Sequence, residues 1–172
     1  MLVKTTRFVS LLCAALVLGL TLTHDLEIPG KQQLSGAEWL VVQQTFYGGF
    51  AIVGGLAQVV GLISTGVLLV LLRKRRTAFV LTLVATLCFA GMLALFAFGN
   101  NPLNQQIATW TPQSLPTNWH EIRDAWDRFH AASSALATLA FTALLIALLW
   151  VIPSSLSPRK ASLEREKERL AR

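Results

Sequence analysis

Residues 47–99 decide the fold, and they read YGGFAIVGGLAQVVGLISTGVLLVLLRKRRTAFVLTLVATLCFAGMLALFAFG. Two charge-free apolar runs, Tyr47–Leu72 and Thr77–Gly99, stand on either side of four consecutive basic residues, Arg73–Arg76. A helix needs about 20 apolar residues to cross a hydrocarbon core about 30 Å thick, and each run is long enough. The stretch therefore predicts two transmembrane helices joined by a short basic loop.

Two further apolar runs flank this pair, and the predicted spans are 8–23, 47–72, 77–99 and 131–152. Hydrophobic residues make up 53% of the chain and charged residues only 14%, against about 25% in soluble domains. We therefore expect an all-α fold, a four-helix transmembrane bundle over residues 1–156 with outer loops 24–46 and 100–130. A charged cytoplasmic tail, 157–172, follows the bundle.

The basic residues lie mostly on one side of this predicted bundle. Twelve of the 15 Lys and Arg residues precede the first span, form the Arg73–Arg76 loop or follow Pro153, and only Lys31, Arg123 and Arg128 fall in the other two loops. Loops rich in Lys and Arg stay in the cytoplasm, so we expect both termini there. The net charge of +6 then reflects membrane orientation and not nucleic-acid binding.

The first apolar run has a second interpretation. It is short and follows Lys4 and Arg7, as the apolar core of a secretory signal does. The residues before His24 make a poor small-residue cleavage site, which favours a transmembrane helix. Both interpretations leave His24 on the outer side of the membrane.

The second span is rich in glycine and predicts close helix packing. Ala51 and Gly55, and again Ala57 and Gly61, are four residues apart, a spacing of small residues that lets helix backbones approach in lipid. Gln58 lies near the middle of the span, where an unpaired amide would be costly. It predicts either an interhelical hydrogen bond or a contact with a ligand or pore.

The fourth span predicts a helix that extends beyond the outer membrane surface. Thr117 is a good N-cap, and no helix breaker follows before Pro153, so a helix over residues 118–152 would be about 52 Å long. On its outer extension four residues follow 4-3-4 spacing and share one narrow stripe: Trp119, Arg123, Trp126 and His130.

This stripe has two interpretations. One is an interfacial aromatic belt with an arginine that reaches the headgroups. The other is the wall of a pocket for a planar apolar ligand, in which indoles stack, Arg123 receives negative charge and His130 moves a proton. His24 is expected at the same depth, which favours the pocket. A metal held by His24, Glu27 and His130 is conceivable, but no paired His or Cys spacing supports one, so we predict no metal.

The outer segments carry motifs that resemble a known family. Asn101-Pro102-Leu103-Asn104, followed by Leu115-Pro116 and the stripe, resembles the anthrone-oxygenase-like membrane proteins, catalogued as domain-of-unknown-function family 1772. A further pattern resembles a bacterial subgroup of that family, and it comprises His24, Leu26, Glu27, Pro29, Lys31, Gln44 and Tyr47. The resemblance covers roughly residues 10–150. It implies a four-helix domain in a bacterial inner membrane.

The resemblance also implies a reaction and roles for individual residues. A few members oxygenate anthrone-type polycyclic phenols to quinones without metal or flavin, so no cofactor is expected. The implied catalytic residues are His130 as base and Arg123. The implied substrate-binding residues are Asn101, Asn104, Trp119, Trp126, His24, Glu27 and Tyr47. The alternative function is a non-enzymatic membrane protein that binds a lipid or a protein partner through the stripe, and a homo-oligomer stays open.

Overall fold

The computed structural model describes residues 1–149 and residue 169, and its ordered elements are helical. They are α1 (Leu2–Lys31), α2 (Gly36–Phe46), α3 (Gly48–Leu72), α4 (Arg76–Leu95), a π-helical turn (Phe96–Asn100), α5 (Asn101–Ala108) and α6 (Trp119–Leu149). Within these described residues, four segments are long and apolar enough to cross a membrane: α1, α3, α6, and α4 with its continuation to Ile107. The predicted all-α bundle with four spans is confirmed.

The four long helices form a closed ring. Helix α1 packs against α3 and α6, and α4 packs against the same two helices. The ring has two different ends. The basic end carries the N-terminus and the Arg73–Arg76 connection, and the cap end carries α2, α5 and residues 109–118, which we call the cap.

Towards the basic end the helices pack closely around small side chains. Ala78, Ala85 and Ala140 are fully buried in this core. At Gly61 an added Cβ would overlap the ring of Phe89 from α4, so only glycine lets α3 and α4 approach this closely. This close approach explains one of the two small-residue pairs that the sequence predicted to be in contact.

At the cap end the helices extend further than predicted. Helix α1 does not end at Thr23 but continues to Lys31, with Pro29 in its last turn. A polar residue ends a hydrophobic run but not a helix. Pro29 removes the one hydrogen bond that its N–H would donate to the Asp25 carbonyl, and the helix ends two residues later. Most of the predicted loop 24–46 is therefore helical. Helix α2 starts with a capping box between Ser35 and Glu38.

The segment after the third span, which was predicted to begin an outer loop, is also helical. The helix runs through the π-helical turn Phe96–Asn100 into α5, and Pro102 is the second residue of α5. Helix α6 begins at Trp119, well before the apolar run, so the predicted extension of the fourth helix is confirmed. The predicted end of that span at residue 152 and the tail 157–172 lie outside the described residues.

Candidate functional site

A cavity of about 830 Å³ lies at the cap end of the bundle. The four long helices form its walls and the cap covers it. Its polar and aromatic lining includes His24, Gln43, Gln44, Tyr47, Phe50, Gln58, Asn104, Trp110, Trp126 and His130. Val17, Leu20, Leu56, Val59 and Leu93 contribute apolar surface. A cleft of this size is typical of sites that enclose a small organic molecule.

The glycines of α3 leave the space that the cavity occupies. Gly48 and Gly55 line it, and a Cβ added at either position would meet no atom within 4 Å. The predicted packing of a neighbouring helix against Ala51 and Gly55 is therefore wrong, because both residues border the cavity. Two small residues four positions apart therefore accompany a helix contact at Gly61 but an open cavity at Gly55. Gln58 also lines the cavity, which agrees with the ligand-contact interpretation.

A cluster of aromatic rings and two histidines forms the cap-side wall. His24 from α1 and His130 from α6 have ring centroids 4.3 Å apart. Trp126 lies 3.9 Å from His130 and 5.0 Å from His24, and Tyr47 stacks on Trp126 at 5.7 Å. The two stretches that the sequence marked as candidates, around residues 24–31 and 101–130, therefore meet in one place.

Each of the two histidines has a buried nitrogen that no hydrogen bond satisfies. The Nδ1 atoms of His24 and His130 find no partner among the described residues. His24 Nδ1 lies 3.8 Å from Glu27 Oε2, which is too long for a hydrogen bond. Buried imidazoles with unused nitrogens in a cavity wall can accept a proton from a bound molecule.

Glu27 joins two side chains, Tyr47 and Lys31, behind this wall. The Tyr47 hydroxyl donates to Glu27 Oε2 at 2.7 Å, and Lys31 Nζ lies 3.0 Å from the same oxygen. Lys31 is only 4% exposed, and its ammonium lies over the rings of Tyr47 and Trp126 at 4.7 and 4.9 Å. Tyr47 lies between α2 and α3, outside the membrane-crossing helices. Burial and then the bond to Glu27 raise the pKa of its phenol, so it stays a hydrogen-bond donor.

Asp127 is a buried acid that the sequence pattern did not single out. It is 6% exposed, and neither carboxyl oxygen has a hydrogen-bond partner among the described residues. It lies within electrostatic range of Lys31 and Arg123. One feature of the sequence could have indicated Asp127: it lies one helical turn after Arg123, on the face of α6 next to the stripe.

Hydrogen bonds from the cap hold the wall in place. Trp126 Nε1 donates to Asn104 Oδ1 at 2.7 Å, and Asn100 Nδ2 donates to the Trp126 carbonyl at 3.2 Å. Gln44 Nε2 donates at 3.0 Å to the carbonyls of both Ile107 and Trp110. These bonds connect α2, α5 and α6, so the indole position depends on the whole cap.

The predicted stripe on α6 divides into two groups. Trp126 and His130 line the cavity, while Trp119 packs against Trp39 with centroids 5.6 Å apart. Arg123 lies over the Trp119 ring and contacts Asp124 at 3.0 Å. Residues on one stripe point to the same side of the helix but lie at different positions along its axis. Trp119 is about 10 Å from Trp126 along the axis of α6, so the two contact different neighbours.

Three predicted site residues, Asn101, Trp119 and Arg123, are not among those that line the cavity. Glu27 is also absent from the lining but contacts it through Tyr47. Over the described residues no group of three His, Cys, Asp or Glu side chains could hold a metal ion.

Comparison with known proteins identifies the family. Residues 42–143 match the model of the anthrone oxygenase family, and this range includes Tyr47, Asn104, Trp126 and His130 but not His24. No curated protein and no solved structure matches the chain. The matched range is more than half of the 172 residues, and the chain therefore belongs to the anthrone oxygenase family.

Proposed function

We propose that this membrane protein is a cofactor-independent oxygenase that converts an apolar phenolic ring system of the anthrone type to a quinone. The observation that carries this proposal is the pair of histidines, His24 and His130, on an aromatic wall of the cavity. The excess of Lys and Arg at the basic end supports an orientation with both termini in the cytoplasm and this cavity towards the outer face of the membrane.

The reaction needs a base, a flat apolar surface and oxygen. An imidazole removes a proton from the ring CH₂, and the carbanion is delocalised through the flanking aromatic rings onto the carbonyl opposite it, as an enolate. The carbanion carbon bonds to O₂, and the peroxide takes up a proton to give a hydroperoxide. Loss of the second proton from the same carbon breaks the O–O bond and releases water. In sum, one CH₂ and one O₂ give one C=O and one H₂O.

The cavity suggests which residue does each part. His130 is the base, and His24, with its ring centroid 4.3 Å away, passes the proton on. Trp126 and Tyr47 hold the ring system by stacking. Asn104, which also lines the cavity, uses its Oδ1 to hold Trp126 and offers its amide N–H groups to the enolate oxygen. We assign Trp119 and Arg123, which lie away from the cavity, to the support of the cap.

The test is oxygen uptake with anthrone by the full chain in proteoliposomes. We expect His130→Gln to lower the rate about 10²-fold or more, because general base catalysis contributes at least that much. His120→Gln is the matched control, since His120 is exposed and packs on Trp119 away from the cavity. Full activity in correctly inserted His130→Gln and His24→Gln proteins would overturn the proposal. Anthrone binding without oxygen uptake would identify a binding protein instead.

A further inference from the structure

The cavity is longer than a fused ring system needs. Gly48 and Val59 both line it and are eleven positions apart on α3, which is about 16 Å along the helix axis. This length is about half the thickness of the hydrocarbon core of a bilayer. The ring-binding wall at Tyr47 and Trp126 therefore occupies only the cap end of a deeper space.

The polarity of the cavity changes along this length. Its histidines, Tyr47 and most of its amides lie at the cap end. Deeper in the bundle the polar residues that line it are Gln58 and Thr21, and the Thr21 hydroxyl already donates to the Val17 carbonyl. The remaining deep lining is aliphatic. A ligand that fills the cavity therefore has one polar end and one hydrocarbon end.

One side of the cavity faces the surrounding lipid. Leu56 and Val59 on α3 line the cavity and are 64% and 46% exposed, and Phe96 at the end of α4 is 40% exposed. These side chains belong to membrane-crossing segments, so their exposed surface meets hydrocarbon. This exposed apolar rim, formed by α3 and the end of the third span, would let a molecule dissolved in the bilayer reach the cavity.

The lining also indicates that the polar end of the ligand is uncharged. None of the described residues that line the cavity is Asp, Glu, Lys or Arg. A phosphate headgroup would be left without a cation, which is costly in a buried site. A phenol or a quinone needs only hydrogen bonds and stacking, which the histidines, amides and aromatic rings supply.

We propose that the substrate is a phenolic ring system with a single aliphatic chain, which enters from the bilayer between α3 and α4. The ring lies against Trp126 and Tyr47, and the chain runs along α3 past Gly55 to Val59. This inference rests on the proposed function for the chemistry of the ring. It adds the class of substrate and the direction of access.

The test uses photolabelling in proteoliposomes. One probe is a hydroxynaphthalene with an octyl chain that ends in a diazirine, and its partner carries the diazirine on the ring. We expect the chain-end probe to label α3 over residues 54–59 and Leu93 or Phe96, and the ring probe to label Tyr47 or Trp126. Chain-end labels confined to residues 100–118 would overturn the proposal.

Variants of the small residues of α3 test whether the chain occupies the space beside Gly55. Gly55→Leu should lower chain-end labelling of residues 56–59 about tenfold, because leucine occupies the space of the chain. Gly66→Leu is the control, since a Cβ there also meets nothing within 4 Å and Gly66 does not line the cavity. Ala51→Leu tests the same space if Gly55→Leu fails to insert. Unchanged chain-end labelling in an inserted Gly55→Leu or Ala51→Leu protein would contradict the proposal.

Labelling requires no turnover, so the two proposals can fail separately. Chain-end labels on α3 without oxygen uptake would remove the oxygenase and leave the bilayer ligand. Oxygen uptake with anthrone, together with no chain-end label over residues 54–59, would leave the oxygenase and remove the chain-bearing substrate.

Discussion

The two ends of the bundle use the same small residues for opposite purposes. At the basic end Gly61 lets the Phe89 ring fill the space beside α3, and the core is closed. At the cap end Gly55 faces a cavity and nothing fills the space. Small residues four apart therefore mark either a contact or a void, and only the neighbouring helix decides which.

The two ends also differ in how buried polar groups are satisfied. At the basic end the Ser10 hydroxyl donates to Ser64 at 3.0 Å, and Thr82 donates to the Ala78 carbonyl at 2.7 Å. At the cap end His24, Asp127 and His130 keep buried atoms without partners among the described residues. Unsatisfied buried groups cost stability, so their concentration around one cavity points to use in binding or chemistry.

The largest expected difference between the two ends concerns volume. Gly61→Leu should lower the free energy of unfolding by about 3 kcal/mol, because the leucine overlaps Phe89 in a closed core. Gly55→Leu should change stability by less than about 1 kcal/mol, because the leucine enters the open space of the cavity. Unfolding of the two variants in detergent measures the difference. Equal destabilisation by both changes would show that the cap end is as closely packed as the basic end.

A smaller effect with the opposite sign is expected at Asp127. Asp127→Asn should raise the free energy of unfolding by about 1 kcal/mol, because an unpartnered buried carboxylate costs more than an amide. Asp124→Asn is a control of opposite sign: the Asp124 side chain is 46% exposed and pairs with the buried Arg123, so its loss should lower the free energy of unfolding by at most about 1 kcal/mol. A loss of stability in Asp127→Asn would mean that the carboxylate is paired in the membrane.

The smallest effect is expected at the serine pair of the basic end. Ser64→Ala should lower the free energy of unfolding by about 0.5–1 kcal/mol, because Ser10 loses its partner on α3. The double change Ser10→Ala and Ser64→Ala should cost little more than Ser64→Ala alone. Independent, additive losses would show that the two hydroxyls do not interact.

The sequence predicted the architecture well and the cavity only in part. Apolar length and the positions of charges located the four spans, because hydrocarbon thickness imposes a direct requirement on the chain. The meeting of His24 with His130 followed from their places at the ends of two spans. The role of Gly55 did not, because the sequence cannot show what faces a glycine. The 4-3-4 spacing likewise predicted which side of α6 Arg123 faces, but not whether it lies level with the cavity.

The π-helical turn at Phe96–Asn100 makes the fold sensitive to the number of residues in this segment. Its widened loop, closed by the Asn101 N–H donating to the Phe96 carbonyl, holds one more residue than an α-helical turn would. Deleting one residue there would restore α-helical winding and rotate everything beyond it by about 100°. Asn104 would then turn away from the Trp126 indole, and no single substitution could restore that alignment. Insertions and deletions, which membrane proteins usually tolerate outside their spans, are therefore expected to be excluded from this segment.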